Sequence, residues 1–393
     1  MLKNAGPLAG VRILELGGVG PSPMAAMLLA DLGATVLRIE RPTPSGLGVQ
    51  RPDRFMLLNR SRRSVIIDLK HPEGIALVLD LAASAEALFD PFRPGTTERL
   101  GLGPEDCFSR NKALVYTRIT GWGQDGPLAM SAGHDINYLA ITGAAAALGR
   151  KGEPPALPLN LLDDFAGGAL YAALGTISAI LHARRTGEGQ VVDAAIVDGA
   201  ASLMTLFYGS VACGVQNVER GTNVLDGGAY YWDTYRCADG GFVSVAPIEP
   251  KFRAILIDKL GLAGHAPALD TLPPEEARAV LAGIFAGHDR DHWTRLFEGT
   301  DACVAPVLTM EEAPAHPHNR ARGTFVAPDG IVQPGPAPRF GRTPSAMPTP
   351  PEPAGTSSRS ALAEWGVAAS RIDALCEGGV VIQRRGSVHA ASL

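Results

Sequence analysis

Alternating apolar runs and helical segments near the start of the chain limit its fold more than any other feature. Residues 11–16 form a short apolar run with glycine on both sides, which is typical of a buried strand. A helical pattern over residues 23–32 ends before Gly33, and Thr35–Glu40 has the pattern of a second strand. A strand, a helix and a strand in this order predict a β-α-β unit with parallel strands.

Further segments of the same kind extend the pattern to residue 120. Strands are predicted at residues 64–68, 87–89 and 113–120, and a helix that begins with proline is predicted at residues 72–83. We therefore predict an α/β fold whose large domain is built on a Rossmann-like open parallel sheet.

The middle of the chain has a helical pattern instead. Leu170, Ala173, Leu174, Ile177 and Leu181 recur at the spacing of one helix face. This spacing predicts a long helix with one apolar face. The remaining positions are rich in glycine and alanine, so we expect the helix to pack closely on several sides.

The length of 393 residues exceeds that of one ordinary core and predicts two domains. We assign residues 1–210 to a large Rossmann-like domain and residues 225–318 to a small α+β domain. A passage rich in glycine near residues 221–228 marks the boundary between them. Proline dominates residues 327–353, which predicts an extended, semi-rigid linker. Residues 354–393 are expected to return to the large domain.

Composition excludes several classes of protein. The chain is 46% hydrophobic and 19% charged, as soluble globular proteins are, and its net charge is −5. That charge gives no reason to expect a nucleic-acid partner, so an anionic ligand must be held by local basic residues. No stretch of about twenty residues is both apolar and uncharged, so we expect no membrane span.

The five cysteines are scattered and form no CxxC pair, which argues against a disulfide framework and against a cysteine-based metal site. The start of the sequence lacks the apolar segment of a signal peptide, so the predicted compartment is the cytoplasm. The final Ala391-Ser392-Leu393 shares serine and leucine with the peroxisomal address but lacks its basic residue.

A glycine-rich turn after the first predicted strand invites comparison with dinucleotide-binding proteins. Gly18 and Gly20 follow that strand, and Glu40 closes the second strand at the spacing of the dinucleotide motif. However, Pro23 occupies the third glycine position, and Pro21 lies in the turn. Neither proline has an N–H to donate to a pyrophosphate. We therefore expect this loop to bind something other than a nicotinamide dinucleotide.

Groups that can move a proton are concentrated at residues 133–138, between segments dominated by alanine, glycine and leucine. The stretch contains His134, Asp135, Asn137 and Tyr138. A histidine in apolar surroundings is more often a hydrogen-bonded core residue than a catalyst. Asp135 follows His134 where the pattern becomes helical, so backbone N–H groups there should form an anion site.

Two further carboxylate positions favour proton chemistry. Asp163 and Asp164 precede the long helix, where one of them has a ready explanation as an N-cap but two exceed that need. Glu249 directly follows a predicted strand and could accept an imidazole N–H, which would fix the tautomer of His134. Such groups suit proton abstraction next to a carbonyl through a stabilised enolate.

These residues belong to a longer series of motifs that resembles the class III CoA-transferase (CaiB/BaiF-type) superfamily and, within it, the α-methylacyl-CoA racemases. The resemblance spans nearly the whole length. The matching segments are LAGVRILEL and GPSPMAAMLLADLGATVLRIERP (within 8–42), RSRRSVIIDLKHPEG (60–74), FRPGTTERLGLGPE (92–105), YTRITGWGQDGP (116–127), GHDINY (133–138), NLLDDFAGG (160–168), GQVVDAAIVDG (189–199), GTNVLDGGAYYWDTYRCADGGFVSVAPIEPKF (221–252) and APAHPHNRARGTFV (313–326).

The resemblance implies an isomerase that interconverts (2R)- and (2S)-2-methylacyl-CoA thioesters by 1,1-proton transfer at the α-carbon. It implies that His134 is one base, that Asp164 is the opposite base, and that Glu249 orients the histidine. No cofactor and no metal are implied, because the CoA thioester is itself the substrate. The implied substrate-binding residues are Asp135, through its backbone N–H, Tyr138 and Asn160.

The resemblance also implies a CoA-binding set: Val19, Gly20, Arg41, Lys70 and Arg99. Cations among them would pair with the phosphates of CoA. Arg93 has an equally good explanation as a structural residue. One departure affects this set, because Pro91 stands between Asp90 and Phe92, where relatives often carry asparagine or glycine, and it removes an N–H donor.

Two alternatives remain open at this point. A CoA-transferase of the same superfamily would use Asp164 as a nucleophile and form an acyl-enzyme anhydride, whereas His134, Glu249 and the absence of a glycine-rich lid at residues 246–250 favour the racemase. A non-catalytic acyl-CoA-binding protein is disfavoured by the three candidate catalytic residues together. The resemblance further implies a homodimer of intertwined chains joined through long linkers.

Overall fold

The computed structural model describes residues 5–262 and 266–384. These residues form two compact units. The large unit consists of the described residues of Met1–Thr142, Pro158–Leu203 and Gly323–Leu393, and the small unit consists of those of Gly143–Leu157 and Met204–Arg322.

This division differs from the predicted one in three respects. The units separate between Leu203 and Met204, and Gly143–Leu157 belongs to the small unit. The proline-rich residues 327–353 lie within the large unit. The tripeptide that ends the sequence lies outside the described residues.

In the described residues the strands are β1 Arg12–Leu16, β2 Thr35–Glu40, β3 Arg63–Ile67, β4 Ala87–Asp90, β5 Val115–Thr120, β6 Gln190–Ala195, β7 Asp233–Arg236, β8 Phe242–Val245, β9 Val304–Val307, β10 Phe325–Val326, β11 Gln333–Pro334 and β12 Val381–Ile382.

The helices are α1 Pro21–Asp31, α2 Pro72–Ala82, α3 Thr96–Leu100, α4 Pro104–Phe108, α5 Asp135–Ile141, α6 Ala144–Ala147, α7 Leu161–Thr186 (wide turns over Leu161–Leu170), α8 Ile196–Leu203, α9 Thr205–Ala212, α10 Pro250–Lys259, α11 Ala266–Thr271, α12 Pro274–Phe285, α13 Arg290–Phe297, α14 Pro317–Arg322, α15 Ser358–Glu364 and α16 Ala369–Glu377.

The large unit is organised on a seven-stranded sheet with the order β12-β3-β2-β1-β4-β5-β6. All neighbouring strands are parallel except β12, which pairs antiparallel with β3. Chain order reverses direction between β1 and β4, where ligands of open α/β sheets bind beyond the carboxyl ends of the strands. The predicted α/β class with a Rossmann-like parallel sheet is confirmed.

Side chains alternate between the two faces of the sheet along each strand, and this divides the core of the large unit into two layers. On β1, Leu14 and Leu16 pack on one face with helix α2 and with α15 and α16, whereas Ile13 packs on the other face with α1 and α7. Because both faces are covered, the strands read as continuous apolar runs. That pattern is why β1 and β2 were predictable from sequence.

Helix α7 confirms the predicted long helix but not its buried face. Leu170, Leu174 and Leu181 are 51%, 62% and 58% exposed. Its buried side is formed mainly by small residues such as Ala172 and Ala179, which lie against the sheet beside β5 and β6. Small side chains allow a close approach of helix and sheet, so alanine rather than leucine marks the core side here.

The same helix is the one segment among the described residues with the length and apolar composition of a membrane span. Its most apolar window has a mean hydropathy of 1.4, and 44% of that window is buried in the protein. A core helix of a soluble protein shares these properties, and α7 packs on α1, α8 and the sheet.

Hydrogen bonds attach the proline-rich segment, which was predicted to be an extended linker, to the large unit. Arg60 donates to the side chain of Gln333 at 2.9 Å, and the backbone N–H of Ser64 donates to Glu352 at 2.7 Å. Arg60 also pairs with Asp31 of α1, and both side chains are buried. The segment is thereby fixed beside β3, the strand next to the edge strand β12.

The small unit has its own sheet and core. Strands β7, β8 and β9 form an antiparallel sheet in that order. Its buried residues include Val243 and Val245 of β8, Leu256 of α10, Phe285 of α12 and Trp293 of α13. This arrangement is of the α+β kind.

Candidate active site

His134 lies directly before helix α5 in an extended conformation, and its side chain is exposed. Its backbone N–H donates to the side-chain oxygen of Asn137 at 3.0 Å. Asn137 is the third residue of the helix, so this contact closes the first turn and fixes the direction in which the chain enters α5. The histidine is therefore held by its backbone, and its imidazole is left for other contacts.

Tyr138 fixes helix α5 through a ring contact and a hydrogen bond. Its ring is buried and meets Trp122 edge-on with the ring centres 4.7 Å apart, and its hydroxyl donates to the carbonyl oxygen of Gly133. A Cβ at Gly121 or Gly133 would lie 2.2 or 2.7 Å from the tyrosine ring. Burial raises the pKa of Tyr138 to about 12, so the phenol stays protonated. These contacts give Tyr138 a structural task beside its predicted role in substrate binding.

Helix α7 begins with wide turns that carry both aspartates. The backbone N–H of Phe165 donates to the carbonyl of Asn160, five residues earlier, at 3.3 Å. Such turns are rare and occur frequently at functional sites. Asn160 is exposed, and its amide lies 3.4 Å from the carboxylate of Asp164, which is half-buried.

The side chain of Asp135 joins the two helices. Its carboxylate accepts a hydrogen bond from the backbone N–H of Asp164 at 3.0 Å. The role predicted for Asp135 depends on its own backbone N–H. That role stays a prediction, and the structure adds a carboxylate that ties the start of α5 to the first turn of α7.

Protonation of Asp164 is set by its surroundings. Burial is the main cause that raises its pKa to about 6, and the nearby charge of Asp135 adds to it. The amide of Asn160 and the charge of His134 act in the opposite direction. The large unit therefore brings Asp164 together with Asn160 and with Asp135, the residue that follows His134.

Asp163 also lies in this region, although no catalytic or binding role was predicted for it. It is 0% exposed, and neither carboxylate oxygen has a hydrogen-bond partner in the described part of the chain. Burial, followed by the charge of Asp135, raises its pKa to about 7. The feature of the sequence that points to Asp163 is the adjacent pair of aspartates, because a helix needs only one of them as an N-cap.

The first loop borders Asp164. Gly20 has a φ of +68° and precedes α1, and a Cβ there would lie 3.2 Å from the Asp164 carboxylate. Its neighbour Val19 is exposed, and Gly18 packs against the ring of Pro91, which would lie 2.6 Å from a Cβ at Gly18. The loop predicted to contact CoA thus lies beside a predicted base, at the reversal between β1 and β4.

The predicted CoA-binding cations are exposed. Arg41 directly follows β2, and its guanidinium lies 5.8 Å from the centre of the Phe92 ring. Lys70 follows β3, and Arg99 of α3 donates to the hydroxyl of Thr96 at 3.2 Å. Arg41 and Lys70 therefore lie beyond the carboxyl ends of their strands, while contact of all three with CoA stays a prediction.

Glu249 lies in the small unit. It precedes helix α10, and its carbonyl accepts the N–H groups of Phe252 and Arg253 at 3.0 Å each. Its side chain is exposed and makes no capping hydrogen bond. The predicted contact of Glu249 with His134 stays a prediction. Across residues 5–262 and 266–384, no three His, Cys, Asp or Glu side chains are arranged to hold a metal ion.

The model of CoA-transferase family III matches residues 8–357. The chain belongs to this family. A human relative named alpha-methylacyl-CoA racemase is 44% identical over 343 residues, which cover 86% of this chain and 87% of the relative. A mouse relative of the same name is 41% identical over 375 residues, which cover 93% and 95%.

A solved structure shares the fold. It is that of a CAIB/BAIF family protein from Brucella suis, with a TM-score of 0.78 and 24% identity over 92% of this chain and 100% of that one. The predicted resemblance to the racemases within the superfamily is confirmed by the curated relatives, and these relatives favour the racemase over the transferase.

Asp163→Asn should stabilise the protein increasingly as the pH rises from about 4 to about 7. The pKa of Asp163 is raised from 3.8 to about 7, so the folded protein binds more protons than the unfolded chain, and the stability of the wild type falls across that window. Asparagine does not titrate. The difference in free energy of unfolding between Asp163→Asn and the wild type should grow by about 2–4 kcal/mol over this pH range. Urea unfolding at several pH values measures it.

Asp198→Asn is the matched control, because Asp198 is an exposed aspartate on the neighbouring helix α8. Its effect on the free energy of unfolding should change little across the same window. A difference between wild type and Asp163→Asn that is constant with pH would contradict the assignment of the raised pKa to Asp163.

Proposed function

We propose that this protein is an α-methylacyl-CoA racemase that interconverts the (2R) and (2S) epimers of 2-methylacyl-CoA thioesters. The observation that supports it most is the hydrogen bond from the backbone N–H of Asp164 to the carboxylate of Asp135, because it joins the turn that carries Asp164 to the start of the helix that His134 precedes. Relatives that bear this name over most of the chain support it independently.

In the proposed reaction one base removes the α-proton and the other delivers a proton to the opposite face. The C–H bond breaks, its electron pair moves into an enolate, and a new C–H bond forms from the protonated second base. A pKa of about 6 allows Asp164 to act as a carboxylate in one direction and as a carboxylic acid in the other. His134 performs the complementary step, oriented by Glu249.

The developing enolate oxygen would accept a hydrogen bond from the backbone N–H of Asp135, the first residue of α5. Tyr138 and Asn160 would border the acyl group. Each donor is fixed before the substrate binds, since α5 is held by the tyrosine and by the Asp135–Asp164 contact. We assign no cofactor or metal to the reaction.

The CoA moiety would lie along the carboxyl edge of the sheet, in contact with Val19 and Gly20 of the first loop. Arg41, Lys70 and Arg99 would pair with its phosphates. Exposed cations suit this task, because the protein as a whole is acidic and its overall field does not attract an anion. We place the protein in the cytoplasm.

We further propose a homodimer of intertwined chains, in which Glu249 serves the His134 of its own chain or of its partner. The exposed leucines of α7 support a covered surface, since contiguous apolar patches are rare on monomers. The mass in solution should be twice 41.0 kDa by light scattering. A monomer at working concentration would refute this part of the proposal.

Incubation of either epimer of a 2-methylacyl-CoA in D₂O should place deuterium at the α-carbon and remove optical purity without an acceptor acid. The protonated bases exchange their protons with D₂O before they protonate the enolate, so label and racemisation should appear together. Mass spectrometry and chiral analysis measure both. If no deuterium is taken up without an acceptor acid, but acyl exchange occurs once an acceptor acid is added, the racemase proposal is refuted. That result would favour a CoA-transferase with Asp164 as nucleophile.

His134→Ala should abolish racemisation from both epimers, with a loss of roughly 10²–10⁴-fold or more. Exchange of the α-proton with D₂O should survive from the epimer whose proton faces Asp164 and should vanish from the other. Asp164→Asn should show the reverse preference. Exposed His182 of the same unit provides the control His182→Ala, which should change neither rate. If His134→Ala loses only a small and equal part of its rate with both epimers, His134 is not one of the two bases.

A further inference from the structure

A close contact between two aromatic rings and one glycine lies directly before His134. The ring of Trp122 meets the ring of Tyr138 edge-on, with 4.7 Å between the ring centres and 82° between the ring planes. Gly133 packs against both rings, since a Cβ there would lie 2.7 Å from Tyr138 and 2.9 Å from Trp122. The Tyr138 hydroxyl also donates to the Gly133 carbonyl oxygen. We call these three residues the aromatic clamp.

The turn that carries Trp122 is fixed on both sides of the indole. The turn follows β5, and the carbonyl oxygen of Gly121 accepts the backbone N–H of Val197 of α8 at 3.1 Å. On the other side, the backbone N–H of Gln124 donates to the carboxylate of Asp193 of β6 at 3.0 Å. The position of the indole is therefore supported by α8 and by the sheet.

Residues 125–132, which connect this turn to Gly133, lie mostly at the surface. All of them except Ala129 are exposed. Two backbone hydrogen bonds, of 3.2 and 2.8 Å, connect residues within the segment to one another. The clamp is thus the place where the chain that leads to His134 is attached to the packed part of the large unit.

The indole N–H is not what makes the clamp. Nε1 of Trp122 is buried and has no hydrogen-bond partner in the part of the chain that the structure describes. A buried donor without an acceptor costs free energy rather than contributing it. The contribution of Trp122 therefore comes from its ring, which fills the space beside Tyr138 and Gly133. A phenylalanine would keep an aromatic ring there, whereas an alanine would leave the space open.

We propose that Trp122 is a positioning residue for His134: its ring holds Gly133 against Tyr138 and thereby fixes the backbone from which the imidazole projects. This inference rests on the proposed function, in which His134 is one of two bases. Proton transfer needs the base at a defined distance from the α-carbon, and a displacement of about 1 Å can lower a rate by roughly 10²-fold.

The other proposed base is supported from elsewhere. The carboxylate of Asp164 lies 3.4 Å from the amide of Asn160, and its backbone N–H donates to the Asp135 carboxylate at 3.0 Å. Loss of the Trp122 ring should therefore impair His134 and largely spare Asp164. A variant that is merely less stable would instead lose both bases together, because both belong to the same folded unit.

The test follows the α-proton of each epimer separately in D₂O. The epimer whose exchange is abolished in His134→Ala is the one that faces His134. In Trp122→Ala, exchange from that epimer should fall by roughly 10²-fold, while the other epimer keeps most of its rate. Trp122→Phe should exchange both epimers at nearly the wild-type rates. Equal losses from both epimers, or no loss from either, would overturn the proposal.

Trp365→Ala is the matched control. Trp365 is a buried tryptophan of the same unit, and its ring centre lies 4.1 Å from the guanidinium of Arg12 at the amino end of β1. Its removal should lower both exchange rates by the same factor. If Trp122→Ala does not fold, Gly133→Ala tests the clamp from its other side, because the added methyl group would meet both rings. It should show the same preference between epimers.

Hydrogen exchange of the free protein, measured by mass spectrometry, tests the clamp without substrate. The backbone N–H of His134 donates to the Asn137 side chain at 3.0 Å, and the Asn137 N–H donates to the His134 carbonyl at 2.7 Å. Peptides that contain these groups should exchange faster in Trp122→Ala but not in Trp122→Phe or Trp365→Ala. Unchanged exchange in Trp122→Ala would overturn the inference even in an active racemase. Faster exchange in a protein whose wild type racemises no substrate would support the clamp and refute the proposed function.

Discussion

Parallel pairing places the carboxyl ends of six strands at one edge of the sheet, and the site of this protein depends on that constraint. The first loop after β1, Arg41 after β2 and the Pro91 turn after β4 reach the same edge because their strands run in one direction. The first turns of helix α7, which precedes β6, place the Asp164 carboxylate beside the first loop. Residues far apart in sequence therefore meet without any local motif that brings them together.

Electrostatics then decides what this edge can do. Asp164 is half-buried, and the charge of Asp135 adds to the effect of burial in raising its pKa, whereas the charge of His134 opposes it. A carboxyl group in water is a weak base and holds no proton at neutral pH. Desolvation and mutual repulsion bring Asp164 into the range where it can exchange a proton in both directions.

Much of the fold could be predicted from sequence, because strands buried on both faces are apolar throughout. Thr35–Glu40 was predicted to the residue. Helix α7 was predicted as well, but its leucines proved exposed, since periodicity shows an apolar face without showing what covers it. The two-residue β12 was missed because such a short strand exists only through its pairing with β3.

The site was predicted less completely, and the reason is physical. His134 and Asp164 were identified from motifs, whereas the contact between the Asp135 carboxylate and the Asp164 N–H depends on how two helices pack. Asp163 looks like an ordinary capping residue in sequence; only its burial distinguishes it. Burial of a carboxyl group without a partner raises its pKa and lowers stability at neutral pH. A sequence pattern identifies the helix to which an aspartate belongs, but it does not show which elements cover that aspartate.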